Sequence, residues 1–134
     1  MVIKRFEDIQ AWQEARVLRK LVYTPTRTPP FSRDLRLCGQ IESAAVSVMA
    51  NIAEGFDGGT DIEFARFLQI AFRSATEVQS HSYAALDENY ITQEQFDSIY
   101  GQAVKTKNLI KGFRQYLLSS NKTRKSTGRN KPNA

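Results

Sequence analysis

The sequence predicts an all-α protein, folded as an antiparallel up-down-up-down four-helix bundle with a disordered basic C-terminal tail. Three observations predict it. Apolar residues recur at alternating spacings of three and four along four separate stretches, the period of one helix face. Proline, glycine and N-cap residues separate those stretches and leave short connections, which favour antiparallel neighbours. No stretch alternates apolar and polar residues as a strand does, and no internal repeat occurs. With 134 residues the chain suits one domain, assigned to residues 1–120, followed by the tail at 121–134.

The first helix is expected over about 8–23. Ala11, Ala15, Leu18 and Val22 form its stripe, Glu7 or Asp8 stands near the positive N-terminal dipole, and Pro25, Pro29 and Pro30 stop it. The second is expected over 33–55, capped by Ser32, with Cys38, Ile41, Ala45, Val48 and Ile52 on its seam. A further apolar set (Val46, Met49, Ala50, Ala53, Phe56) lies on another face of this helix. One face therefore meets the core, and the other a loop or a neighbouring subunit. Gly55, Gly58 and Gly59 break the chain there.

Thr60-Asp61-Ile62-Glu63 has the form of a capping box and opens a third helix over 61–88, with Phe64, Leu68, Ala71, Ala75, Val78, Ser82 and Ala85 in line. Thr92 and Gln95 repeat the box before a fourth helix over 93–119. Its seam is Phe96, Ile99, Ala103, Thr106, Ile110, Phe113 and Leu117. The polar, aperiodic residues after it predict a disordered tail.

Composition narrows the function. No window approaches the roughly 20 apolar residues that span a bilayer, and the opening MVIKRFEDIQAW has no apolar signal-peptide core. A single cysteine, Cys38, fits a reducing compartment, so a soluble, cytoplasmic protein is expected. His81 is the only histidine, and neither Glu54 nor Glu77 has a histidine three residues on, so neither a Cys/His zinc site nor a di-iron bundle is predicted. The glycines at 55–59 lack the lysine and preceding strand of a phosphate loop. Neither a catalytic group nor a cofactor is expected.

Two features remain. The net charge of +5 is uneven: residues 37–100 are acidic, while residues 101–120 carry four cations and residues 121–134 five, with no acid in either stretch. Arg16, Arg19 and Lys20 share a face of the first helix, and Lys107, Lys111 and Arg114 one of the fourth. Adjacent first and fourth helices would merge them into one positive strip beside Lys122, Arg124 and Lys125 of the tail. Such a strip suits a phosphate backbone, or it is a solvated face that maintains solubility. The second feature is Asn51 and Glu54, polar within an apolar stretch. With Arg66 across the hairpin they are expected to form a structural clamp between helices two and three.

The same residues carry a resemblance. Phe6-Glu7-Asp8-Ile9, Ala11 to Ala15, Ile41 to Gly55 with its Asn51-Ile52-Ala53-Glu54-Gly55, and Glu63-Phe64-x-Arg66-Phe67-Leu68 resemble the bacterial four-helix-bundle proteins named for the 23S ribosomal RNA intervening sequence. The resemblance spans about residues 5–118, and Met49 departs from it where many members have proline. It implies a left-handed bundle that assembles as a ring-shaped homopentamer. The family is similar in fold to the accessory variability determinant of diversity-generating retroelements, which partners a reverse transcriptase and binds nucleic acid through a basic surface. No catalytic or ligand residue is carried over. The expectation is a non-enzymatic, homo-oligomeric module that binds RNA or DNA, as a reverse-transcriptase accessory or encoded in an rRNA insert. The alternative is a protein-interaction scaffold that binds no nucleic acid.

Overall fold

A computed structural model of the chain describes residues 3–123, with side chains through Ser120. Four helices carry the fold: α1 (Gln10–Thr26), α2 (Leu35–Asp57), α3 (Asp61–Asp87) and α4 (Gln93–Thr123). Single 3-10 turns at Phe6–Asp8 and Phe31–Arg33 precede α1 and α2. Each helix packs on its neighbours in sequence and α4 closes back on α1, the contact pattern of an up-down-up-down bundle. Among the described residues there is no strand.

Every residue expected on the four seams is buried, from Ala11 on α1 to Leu117 on α4. Two polar members of those seams are satisfied locally: Thr106 Oγ1 donates to the Gln102 carbonyl at 2.8 Å and Ser82 Oγ to that of Gln79 at 2.7 Å. Phe64 and Phe113 meet edge to face between α3 and α4, at the end of the core near the α2–α3 turn, with ring centroids 5.2 Å apart.

The termini depart from expectation in instructive ways. Pro25 lies inside α1 rather than ending it. A proline there has no N–H to give the Leu21 carbonyl, and threonine hydroxyls bond other groups at this end: Thr24 donates to the Lys20 carbonyl, Thr28 to that of Thr24, and Thr26 to Glu42 Oε2 on α2 at 2.6 Å. The cap of α2 is Asp34 rather than Ser32, with Oδ1 accepting from the Leu37 amide at 3.0 Å. Ser32 falls instead in the preceding 3-10 turn, which Phe31 anchors in the core.

Thr60 caps α3, but Glu63 does not complete the box because its carboxylate binds Arg66. At α4 the box is reciprocal: the Gln95 amide donates to Thr92 Oγ1 at 3.1 Å, and the Thr92 amide to Gln95 Oε1 at 2.9 Å. The α3–α4 turn is a Schellman motif. Asn89 takes the left-handed position at φ 59°, with the Tyr90 amide bonded to the Ala85 carbonyl and the Asn89 amide to that of Leu86. α4 runs past the expected end to Thr123, since neither glycine nor proline interrupts its last turns. The side chain of Lys122, and all of Arg124 and Lys125, lie outside the described residues.

Gly55 does not break the chain. α2 continues through it to Asp57, and the turn comes at Gly58 and Gly59, the latter at φ 95°. A Cβ on Gly55 would sit 2.7 Å from Phe64 Cδ1 and 2.8 Å from Phe67 Cβ, so its missing side chain lets α3 close onto α2.

Candidate nucleic-acid interface

Both basic clusters are present, but they do not merge into one strip. α1 and α4 are neighbours as expected, yet their seam belongs to a carboxylate. Gln102 Nε2 donates to the Glu14 carbonyl and to Glu14 Oε1, both at 2.9 Å, and Lys105 Nζ lies 3.3 Å from Oε1. The Gln102 bond, with help from Lys105, holds the Glu14 carboxyl below the usual carboxylate range despite partial desolvation.

The clusters flank that seam from opposite sides. Arg16 and Arg19 lie toward the far edge of α1, their guanidinium carbons 6.0 Å from the Trp12 ring centroid and 4.3 Å from that of Tyr23. Lys20 is exposed beside them. The α4 cluster turns to α3. Lys107 Nζ donates to Gln79 Oε1 at 2.9 Å and stands 4.7 Å from the Phe72 centroid, while Arg114 Nε donates to the Ala65 carbonyl at 3.2 Å. Side chains three and four apart share a helix face, so 107, 111 and 114 do form one row, but that row borders α3.

There it meets two cations of α3. Arg66, Arg73 and Arg114, with Ile62, Gln69, Ile70 and Leu118, line an open groove of about 400 Å³. Past Gln69 and Arg114 it continues to Phe72 and Lys111. No aspartate or glutamate lines either part. Lys111 and Arg73 are exposed, and Arg114 uses only one of its five N–H donors among the described residues. A groove of this kind can take an extended anion such as a phosphate backbone. Arg73 belongs to this site although sequence reasoning passed over it. The signal was available: Arg66 and Arg73, seven apart and so two turns along one face, are the only cations between residues 37 and 100.

The expected clamp takes a different form. Arg66 binds Glu63 on its own helix through Nε at 3.3 Å and Nη2 at 2.7 Å, and Glu54 is exposed with no ion pair among the described residues. Glu54 falls on the exposed side of α2, between the buried Ile52 and Gly55 in sequence. Asn51 does contribute to the α2–α3 contact, at one remove. Its amide donates to the Ser47 carbonyl at 2.8 Å and to Ser47 Oγ at 3.0 Å, and that hydroxyl lies 2.8 Å from Ser74 Oγ on α3. Burial, with Glu42 and Asp34 nearby, pushes the Cys38 thiol up; its sulfur lies 3.1 Å from the Phe31 carbonyl oxygen and 3.5 Å from that of Thr26. Among the described residues no three His, Cys, Asp or Glu side chains gather to hold a metal, and no helix is long and apolar enough to cross a membrane.

Comparison with known proteins agrees with this architecture. No curated protein matches the chain. A solved structure from Bacteroides thetaiotaomicron VPI-5482, described as a protein of unknown function from the S23 ribosomal protein family, superposes with a TM-score of 0.72 at 21% identity. The alignment covers 78% of this chain and 95% of that one, a likeness of fold. The family model of the 23S rRNA-intervening sequence protein matches residues 7–112. That match takes in α1 to α3 and most of α4, and the chain belongs to the 23S rRNA-intervening sequence protein family.

Proposed function

We propose that this chain is a non-enzymatic nucleic-acid-binding module, acting as a homo-oligomer and gripping the phosphate backbone in the α3–α4 groove. The observation that carries the reading is the lining of that groove, with Arg73, Lys111 and Arg114 on two adjacent helices and no carboxylate among its lining residues, Arg66 at its edge being paired with Glu63. α4 adds to it, since after Asp97 it carries Lys105, Lys107, Lys111 and Arg114 with no acid among them. Phosphate contacts of this type confer affinity with little base preference. Support for assembly comes from α2, where Val46 is 39% exposed and Ala50 lies open beside it. A place beside a reverse transcriptase, or within a ribosomal RNA insert, is tested by the neighbouring genes.

The test is a salt titration of a labelled RNA hairpin by fluorescence anisotropy. Log affinity should fall with log salt, by about 0.7 to 0.9 for each phosphate neutralised. The triple variant Arg73→Gln, Lys111→Gln, Arg114→Gln should lower that slope by roughly 2 while leaving the helical circular dichroism unchanged. Deleting residues 124–134 separates the tail's share from that of the groove. Binding that survives both changes would place the site elsewhere. No binding at low salt would favour the second reading, a scaffold for an acidic protein partner. The observation behind that reading is Ile62, 62% exposed, with Ile70 and Leu118 on the same groove.

A further inference from the structure

We infer that the outer edge of α1 is a second, separate site that binds unpaired nucleotides by stacking; this rests on the chain binding nucleic acid at all. Trp12, Arg16, Arg19 and Tyr23 follow one another at spacings of 4, 3 and 4, which places them in one row along α1, and Arg27 at its C-cap extends the row over the Tyr23 ring. Aromatic rings and guanidinium groups interleave along that row. Arg19 lies 4.3 Å and Arg27 5.1 Å from the Tyr23 centroid, and Arg16 lies 6.0 Å from that of Trp12. Lys20 stands exposed next to the row, as a partner for phosphate.

Packing accounts for part of this arrangement, because both rings are half-buried against the core and a guanidinium can cover an aromatic face. It does not account for two arginines on one tyrosine, nor for the lack, among the described residues, of an ion pair on the row's guanidinium groups. Glu42 of α2, which reaches this end of α1, accepts instead from Thr26 Oγ1 at 2.6 Å. Arg5 and Arg66 are each held by a carboxylate. None of the three arginines of the row has such a partner among the described residues. The only acid between residues 9 and 33 is Glu14, which faces α4 and is bound there.

A planar, weakly hydrated guanidinium lying on a ring offers its other face to a further planar group, and bases stack on both aromatic and arginine planes. A duplex keeps its base faces covered by neighbouring pairs, so only unpaired nucleotides have faces to offer. The row spans about 22 Å at 1.5 Å per residue, room for about six nucleotides at the 3.4 Å spacing of a stacked strand. The α3–α4 groove makes no such distinction, since it presents charge and amides to a backbone that both forms possess.

Trp12 is the only tryptophan of the chain, so its intrinsic fluorescence reports on this row alone. The full chain is titrated with a 12-nucleotide RNA lacking self-complementarity and with a 12-base-pair RNA duplex. The single strand should quench Trp12 emission and the duplex should leave it unchanged. The double variant Arg19→Lys, Arg27→Lys keeps both charges and removes both planes. It should weaken single-strand binding by roughly tenfold, the lower part of the range for one lost base stack, and leave duplex affinity within about twofold. These substitutions are surface changes that retain the alkyl stems, and circular dichroism checks the fold. If the double variant binds the single strand as tightly as the wild type, or Trp12 emission responds equally to both ligands, the stacking site is wrong while the groove stands. Loss of both affinities in the Arg73, Lys111, Arg114 variant, with Trp12 quenching abolished, assigns all binding to the groove and overturns the second site. Absence of binding by either RNA at low salt removes both.

Discussion

Glycine at position 55 acts through close packing rather than backbone freedom. α2 is regular there, and what a side chain would meet is the buried Phe64 ring and the backbone-anchored Cβ of Phe67. Gly55→Ala should therefore destabilise the bundle by a net of about 1–2 kcal/mol. Overpacking costs about 1–3 kcal/mol, and improved helix propensity returns up to about 1. Urea denaturation gives the sign, and an alanine variant as stable as the wild type would show that α3 can move aside. Gly39, where an added Cβ would meet nothing within 4 Å, is the internal control: Gly39→Ala should stabilise by up to about 1 kcal/mol.

At the scale of elements, two side chains connect helix ends or faces that lie far apart in sequence. Asp34 caps α2 with one oxygen, and with the other accepts the Tyr90 hydroxyl at 3.0 Å from the α3–α4 turn. Tyr90 in turn stacks on Phe31 at 5.0 Å, and the Asp34 bond pushes its phenol upward in pKa. Asp34→Ala should cost about 1–2 kcal/mol as a lost cap, measured by the urea midpoint, whereas Asp34→Asn keeps the cap and loses less. Glu14 joins α1 to α4. Its carboxyl is depressed in the folded chain, first by Gln102 and then by Lys105. The stabilisation is present above the unfolded carboxyl range, near about pH 4.3, and disappears as pH falls through the folded value. Glu14→Gln cannot titrate, so its loss of stability between pH 6 and pH 3.5 should be smaller than that of the wild type. Equal acid sensitivity would mean that other carboxylates dominate.

For the whole molecule, the bundle sets the groove of α3 and α4 on one side of the α1–α4 seam and the arginine-aromatic row of α1 on the other. A homo-oligomer would repeat both, turning modest single-site affinity into avidity for a long RNA. Light scattering at micromolar concentration should return a multiple of the 15.2 kDa chain mass. A mass near one chain would leave Val46 and Ala50 as an isolated exposed pair of no consequence. The pentamer is specifically a mass five times that of one chain, and any other integer keeps assembly while correcting the number.

What the sequence alone determined is the fold. Four stripes at helical spacing had to be buried together, and Ala11, Ile52, Phe64, Leu117 and the rest of the seams are buried because the hydrophobic effect acts on a period visible in one dimension. The reciprocal box of Thr92 and Gln95 was legible for the same reason, being a contact between residues three apart. Contacts across helices were not legible to that degree. That Arg66 prefers Glu63 over Glu54, that Lys107 reaches Gln79, and that Arg73 joins Arg114 depend on how each helix is rotated about its own axis. Core packing fixes that rotation: a turn of one residue, about 100°, moves a side chain from one neighbouring helix to the other. Sequence showed that the chain carries basic rows, and only the tertiary structure decided that they lie on different faces.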